Sequence, residues 1–223
     1  IDFYKSGFPA RFGGKMSSVV DITTRDGDFY DYHGTFAIGL IDGHLQFEGP
    51  IVKGKTSFNV GLRRTWIETI SEPILYFFNK ENQPDKLTLG YSFSDLNAKV
   101  THKFSPKNVL RGSFYMGRDV FRYKQYNFSE YYQVGEDGVA EIHRQQENDM
   151  GIPMNWGNTL GSLDWKWDIS DRLSMNAAAY YTRSHSRLGF YFEDWTSLHP
   201  DVREKGGQYV NSLVHDFALN ADL

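Results

Sequence analysis

Hydrophobic and polar residues alternate in short runs along most of this chain, and helical periodicity is rare. Alternation with a period of two places apolar side chains on one face of a β-strand and polar side chains on the other. Eight runs follow this pattern, at residues 34–40, 44–48, 57–63, 96–104, 110–116, 162–169, 173–181 and 213–223. His102 and His215 interrupt two of the apolar faces. The pattern predicts an all-β fold with about eight antiparallel strands.

The connections between the predicted strands fall into two length classes. Turn-forming residues fill 52–55, 105–108 and 169–172, whereas the links near 67–90, 124–157 and 187–207 each have about twenty residues or more. Compact soluble domains rarely contain several structureless loops longer than about 12–15 residues. Short turns at one end and long loops at the other therefore favour a transmembrane β-barrel over a soluble β-sandwich. In the first long link, residues 66–78 are predicted to form a short helix.

Aromatic residues are abundant on a polar chain. They make up 16% of the residues, while the mean hydropathy is −0.53, as expected for a barrel with a polar interior. Many lie near the ends of predicted strands, where a barrel has its interfacial girdles: Tyr30, Tyr32, Trp66, Tyr91, Phe93, Phe104, Phe121, Tyr123, Trp165 and Tyr181. Aromatic side chains also fill the cores of β-sandwiches, so the sandwich stays an alternative.

Charge and motif content argue against several classes of function. The chain has 24 Lys and Arg against 28 Asp and Glu, which provides no basic face, so we expect no nucleic-acid partner. It has no cysteine, and the sequence patterns of serine hydrolases, zinc proteases and phosphate-binding loops do not occur. We therefore expect no enzymatic activity, no catalytic residue, no metal and no cofactor. The acidic residues within 26–31 are interpreted as part of a solvated linker rather than a calcium loop.

A motif rich in glycine and small residues precedes the first predicted strand. It begins with Arg11 and an aromatic residue, continues through Gly13, Gly14 and further small residues, and ends in a short strand that closes with a Thr-Arg pair. This motif resembles the end of the plug domain of TonB-dependent outer-membrane receptors. The runs that follow look like the first three barrel strands of those receptors, most of all the large Bacteroidetes-type members. The similarity at the level of motifs covers about residues 5–66, and beyond them it is architectural.

The resemblance implies a barrel of about 22 strands that encloses an N-terminal plug domain and lies in the Gram-negative outer membrane. Residues 1–31 then correspond to the C-terminal end of the plug domain and its linker, and residues 32–223 to the N-terminal part of the barrel. Because the start of the plug and a terminal aromatic residue are missing, we expect a fragment of a longer receptor. The expected partners are outer-membrane lipid, the remainder of the receptor, a surface lipoprotein, and the TonB–ExbB–ExbD motor acting through the missing N-terminal region.

Two groups of candidate functional residues follow. Aromatic faces beside acidic side chains suit sugars and flat or peptidic ligands. The candidate ligand contacts in the long loops are Trp66, Tyr76, Tyr131, Tyr132, Trp156, Tyr191 and Trp195. The resemblance implies plug–barrel contacts at Arg11, Gly13, Gly14, Glu48 and Arg63, with Arg11 paired to Glu48. The charged side chains expected on the luminal face are Arg63, Lys99, Lys103, Asp164, Lys166 and Asp168.

These features predict a TonB-dependent receptor for the energised uptake of a scarce nutrient, such as a siderophore, vitamin, oligosaccharide or peptide. Two alternatives stay open. A passive or structural outer-membrane barrel would use residues 10–27 as a barrel strand. A soluble carbohydrate-binding β-sandwich would bury its apolar strand faces against one another.

Overall fold

The computed structural model describes residues 2–5, 18–134, 138 and 140–223. Within them, eight strands form one antiparallel sheet in which each strand pairs with its neighbours in sequence. These strands are β3 (His33–Ile38), β4 (Asp42–Val52), β5 (Thr56–Thr65), β6 (Lys86–Ser105), β7 (Asn108–Val134), β8 (Ala140–Ser170), β9 (Leu173–Thr196) and β10 (Arg203–Asp222). A separate two-stranded sheet pairs β1 (Asp2–Tyr4) with β2 (Val19–Asp21). The predicted all-β fold with eight antiparallel strands is confirmed.

Three tight turns lie at one end of the sheet, which is called the turn end here. They comprise residues 53–55, 106–107 and 171–172, and the sequence predicts all three. The opposite end, called the distal end, carries the tips of the β7–β8 and β9–β10 hairpins and the helix α1 (Ile67–Glu81). This helix confirms the one predicted for the first long link. Among the described residues, no helix combines the length and hydrophobicity needed to cross a membrane.

The prediction of long loops is wrong for the second and third links. Strand β7 continues to Val134 and pairs along its whole length with β8, which begins again at Ala140. Strand β9 likewise continues to Thr196 and pairs with β10 from Arg203 onward. The apolar alternation fades beyond Met116, but the backbone ladder does not depend on it, because main-chain groups pair whatever side chains they carry.

One face of the turn-end half of the sheet is apolar across neighbouring strands. We call it the front face, and one row of paired positions on β4 to β10 contains Phe47, Val60, Ala98, Phe114, Gly161, Tyr181 and Phe217. The opposite face, called the back face, bears the charged residues predicted to share one side: Arg63, Lys99, Lys103, Asp164, Lys166 and Asp168. Their shared position follows from strand alternation and from the observed register.

The usual distribution of polar and apolar residues is inverted. No hydrophobic residue among those described is buried, whereas the buried polar residues are Glu48, Ser57, Thr65, Lys99 and Thr101. Front-face residues are open instead, with Leu219 84% and Phe36 73% exposed. The other sheet among the described residues has only the two strands β1 and β2, so no layer of comparable size packs on this face.

The two histidines that interrupt the apolar face have polar partners on adjacent strands. The Nδ1 atom of His102 lies 2.8 Å from the hydroxyl oxygen of Thr56. The Nδ1 atom of His215 lies 3.0 Å from the hydroxyl oxygen of Tyr181. Each imidazole thus has a hydrogen-bonding partner within the front face, which lowers the cost of placing it among apolar side chains.

The polarity of the two faces reverses in the distal half. Continuing the alternation of β7, the front face passes from Met116 to Arg118, Val120, Arg122 and Lys124, of which three are cationic. The back face there becomes aromatic and apolar, and one of its rows contains Tyr91, Phe121, Met154 and Leu188. The sheet therefore presents an apolar front near its turn end and a charged front near its distal end.

Helix α1 covers the edge of β6 that β5 leaves unpaired. The side-chain amide of Asn79 donates to the carbonyl of Leu87 at 2.8 Å and accepts from its N–H at 2.7 Å. The hydroxyl of Ser71 donates to the carbonyl of Leu89 at 3.1 Å. These bonds substitute for the missing strand neighbour, which protects an otherwise open sheet edge.

Candidate functional site

Residues 22–32, called the linker here, lead from β2 to β3 and dock on the back face near the turn end. The carboxylate of Asp26 accepts hydrogen bonds from the hydroxyl of Thr101 at 2.8 Å and from Nε of Arg111 at 3.2 and 3.3 Å. The ammonium of Lys99 lies 2.9 Å from the same carboxylate and donates to the carbonyl of Thr24 at 2.5 Å. One carboxylate of the linker is thus held by side chains of both β6 and β7.

The electrostatics of this cluster keep Asp26 ionised. Burial on its own raises the pKa of Asp26, but the hydrogen bonds from Lys99, Thr101 and Arg111 outweigh it and lower the pKa below its ordinary value of 3.8. Lys99 is only 5% exposed, so its charge depends on the carboxylate for compensation. The cluster is therefore an ion pair that binds the linker to the sheet.

A second ion pair joins the linker to β4. The guanidinium of Arg25 donates to Oε1 of Glu48 at 2.7 Å, and Glu48 is buried. The other oxygen of Glu48 has no hydrogen-bond partner among the described residues. The sequence predicts Arg11 as the partner of Glu48, but Arg11, Gly13 and Gly14 lie outside the described residues. In the described structure, the guanidinium that Glu48 binds is that of Arg25.

The linker passes close to β5 and then rounds the turn end of the sheet. A Cβ atom at Gly27 would collide with the backbone carbonyl of Phe58, so only glycine fits there. Beyond it, the ammonium of Lys103 lies 3.4 Å from the centroid of the Phe29 ring. Tyr32 then stacks on the front-face ring of Phe47 with 6.0 Å between centroids. The chain therefore crosses from the back face to the front face as it enters β3.

Arg63, the remaining predicted plug–barrel contact, has partners within the sheet. Its Nε donates to Asp42 at 3.2 Å, and its guanidinium lies 4.6 Å from the centroid of the Phe93 ring. It lies on the back face, opposite Asp95 of β6. These contacts stabilise the distal end of β4 to β6; a contact between Arg63 and a plug stays a prediction.

Above the linker, the back face carries a surface that we call the aromatic patch, comprising Tyr91, Tyr115, Phe121, Met154, Trp156 and Leu188. Its lower edge is polar, because the hydroxyl of Tyr91 donates to Asp119 at 2.7 Å and that of Tyr115 donates to Asp95 at 3.2 Å. Apolar surface next to fixed hydroxyl and carboxylate groups can bind a ligand that has both a flat or apolar part and hydrogen-bonding groups.

The predicted ligand-contacting aromatic residues lie mainly in strands rather than in loops. Tyr131, Tyr132, Trp156, Tyr191 and Trp195 all belong to β7, β8 or β9, so their assignment to loops is wrong. The cause is the continuous pairing of these strands, which places successive side chains on alternate faces. Only one of them, Trp156, lies in the aromatic patch, opposite Asp119.

The other candidates contact different parts of the sheet. Tyr131 stacks on the guanidinium of Arg144 at 4.1 Å, and the hydroxyl of Tyr132 donates to Glu130 at 2.6 Å. The ring of Tyr191 lies over Gly151 on the paired strand. The structure therefore does not bring these residues together in one site.

Three further candidates lie near the distal end. The indole N–H of Trp66 donates to the carbonyl of Leu40 at 3.1 Å, and that of Trp195 donates to the carbonyl of Pro200 at 3.1 Å. Tyr76 is exposed on α1 and packs edge-on against Phe77. These aromatic side chains stabilise local structure, and their contact with a ligand stays a prediction.

Sequence reasoning missed the residues that bind the linker. Asp26 was expected in a solvated segment, yet its side chain is only 28% exposed. Thr101 and Arg111 lie on predicted polar faces, but nothing in their local pattern indicates that they converge on one carboxylate. The sequence contained only a weak signal for this cluster. Asp26 stands next to Gly27, and the segments that form β6 and β7 contain more cationic than acidic residues.

Comparison with models of known protein families found no match, and comparison with curated protein sequences found none either. The functional interpretation therefore depends on the geometry of the chain itself.

Proposed function

We propose that the eight-stranded sheet is part of the wall of a transmembrane β-barrel, in a TonB-dependent receptor of the Gram-negative outer membrane. The inverted distribution of side chains is the observation that carries this proposal. A sheet with no buried hydrophobic residue among those described, and with an open apolar face, is stable only where that face meets a non-aqueous medium. The back face then lines a wet lumen, where charged residues cost little.

The height of the apolar front face supports a membrane rather than a protein partner as its cover. On β6 it spans nine residues, from Leu96 to Phe104, and a tilted strand crosses a bilayer in about 9–11 residues. The strands themselves are longer, up to 31 residues in β8. Their distal halves then project beyond the bilayer, which agrees with the charged front face there.

The linker supports a plugged receptor rather than a passive barrel. Strand β2 pairs with β1 and not with the eight-stranded sheet, and Arg25 and Asp26 bind the back face. A segment that ion pairs bind to the inner wall of the barrel is what we expect of the connection between a plug domain and its barrel. In this function the motor would pull on the plug, and the aromatic patch would bind the nutrient before release.

Spin labelling tests the membrane proposal, and the chain suits it because it contains no cysteine. Single cysteines at Ala98 and Ala179 report the front face, and cysteines at Asn97 and Ala178 on the same strands report the back face. In outer-membrane vesicles, labels on the front face should be more accessible to oxygen, which is enriched in lipid, than to a water-soluble nickel chelate. Labels on the back face should show the opposite order. Equal accessibility on the two faces would refute the membrane assignment.

A growth assay separates an energised receptor from a passive barrel. Cells that contain or lack the full-length protein would be limited in turn for chelated iron, cobalamin, an oligosaccharide and a peptide. We expect one of these nutrients to support growth only when both this protein and TonB are present. Cysteines at Asp26 and Arg111, joined by a short thiol-cleavable bifunctional cross-linker, should block that growth until a reductant is added. Growth that needs the protein but not TonB would favour the passive barrel.

A further inference from the structure

A groove of about 960 Å³ lies on the front face where the apolar half of the sheet ends. Its floor contains Leu62, Leu96 and Met116, which form the last apolar row on β5 to β7. The next row toward the distal end contains Arg64 and Arg118, with only Ser94 between them. The groove therefore joins an apolar floor to a cationic rim.

Two further basic side chains border the groove from β9. Arg183 lies in the row of Met116, and His185 in the row of Arg118. Arg64 pairs with Glu68 at 3.4 Å. Among the described residues, Arg118 and Arg183 have no carboxylate within ion-pair distance. Exposed cations without partners, next to apolar surface, are available for an anion that itself carries apolar chains.

The opposite wall of the groove is aromatic. The ring of Trp66 lies over Gly43, and its N–H is bound to the carbonyl of Leu40, so its orientation is fixed. Tryptophan is favoured at membrane interfaces because its ring is apolar and its N–H is polar. The wall thus lies at the level expected for the boundary between acyl chains and headgroups.

We propose that this groove binds a phosphorylated lipid of the surrounding leaflet, with its acyl chain on Leu62, Leu96 and Met116 and its phosphate between Arg118 and Arg183. This inference rests on the proposed membrane location. A phosphate monoester fits better than a zwitterionic headgroup, because two guanidinium groups at the rim, those of Arg118 and Arg183, have no ion-pair partner among the described residues. Strand spacing separates Arg64 from Arg118 by about 10 Å, so the rim can contact more than one anionic group.

The test uses the protein reconstituted in phosphatidylcholine vesicles that contain spin-labelled phosphatidic acid. Electron paramagnetic resonance measures the association of this lipid relative to spin-labelled phosphatidylcholine. Arg118→Gln and Arg183→Gln should each lower the relative association constant by about fivefold. The matched control is Arg122→Gln, which removes the same charge from the same face of β7 outside the groove and should change the constant less than twofold.

Three results would overturn the inference. The first is a wild-type protein with no preference for phosphatidic acid, and the second is an equal loss in all three variants, which would indicate only general attraction between charges. The third is loss of the preference in 10 mM glycerol 3-phosphate, which would indicate a site for free phosphate. If front-face spin labels still contact lipid in these cases, only the groove assignment fails. If those labels do not contact lipid, the membrane proposal fails as well.

Discussion

Removal of the charge on Asp26 should release the linker from the back face. In the Asp26→Asn variant, the buried ammonium of Lys99 keeps the carbonyl of Thr24 as an acceptor but loses its carboxylate. Thr101 and Arg111 lose the same charged acceptor. The change affects the contact between linker and sheet while the strand ladder stays intact, so we expect local release rather than global unfolding.

The free-energy cost of Asp26→Asn for linker docking follows from the burial of the charges on Asp26 and Lys99. Breaking a buried ion pair by removing one partner costs about 3–5 kcal/mol. The low end applies, because the Asp26 side chain is 28% exposed while that of Lys99 is 5% exposed. A cost of about 3 kcal/mol corresponds to a roughly hundredfold larger population of undocked linker.

Trypsin cleavage after Arg25 measures this population when opening and closing are fast relative to cleavage. We expect the rate of cleavage at Arg25, followed by mass spectrometry and divided by the rate for a free peptide with the same linker sequence, to rise about a hundredfold in Asp26→Asn. Asp31→Asn is the matched control, because it removes an equal charge from an exposed residue of the same linker and should leave the rate unchanged. Equal rates in both variants and in the wild type would show that the ion pair does not hold the linker.

The pH dependence of linker docking has a defined sign. Because the pKa of Asp26 is lowered on docking, its stabilising contribution is complete above the ordinary pKa of 3.8 and is lost as the pH falls through the lower docked value. Hydrogen exchange of the linker amides should therefore be protected equally at pH 5 and pH 7. Protection should be lost below about pH 3.8 in the wild type, whereas Asp26→Asn should show no such acid transition. A linker that detaches near neutral pH would contradict this assignment.

Three further substitutions test other parts of the structure. Asn79→Ala removes two hydrogen bonds to the backbone of Leu87, which together contribute about 2 kcal/mol. Hydrogen exchange in α1 should therefore increase roughly thirtyfold, while exchange in β8 should stay unchanged. Phe114→Arg should destabilise the protein in lipid vesicles by about 2–4 kcal/mol in urea titrations. Ser162→Arg on the back face, beside Asp164, should cost less than about 1 kcal/mol, and equal costs would argue against a lipid-facing front. Gly27→Ala should increase trypsin cleavage of the linker about tenfold, because the added methyl group would collide with a backbone carbonyl of β5. An unchanged rate of cleavage would contradict this close approach of the linker to β5.

The sequence by itself determined the antiparallel all-β fold, the number of strands in the main sheet and the position of the tight turns. These features have local causes, since alternation with a period of two and turn-forming residues act over a few neighbours. It also determined which charged residues share a face, because Lys99, Asp164 and the other predicted members follow from alternation once the strands are known. The helix after Trp66 also has a local cause in the sequence, and it begins at Ile67.

Only the tertiary structure decided how far the strands extend and what the linker binds. Beyond Met116, backbone pairing between β7 and β8 continues although the apolar pattern that predicts strands has faded. The four residues Asp26, Lys99, Thr101 and Arg111 are up to 85 positions apart in sequence, and their meeting depends on the register of two strands and on the path of the linker. The reversal of polarity between the two halves of the sheet has the same cause. It becomes visible only when the faces of neighbouring strands are aligned, because each strand alone contains both kinds of residue on both of its faces.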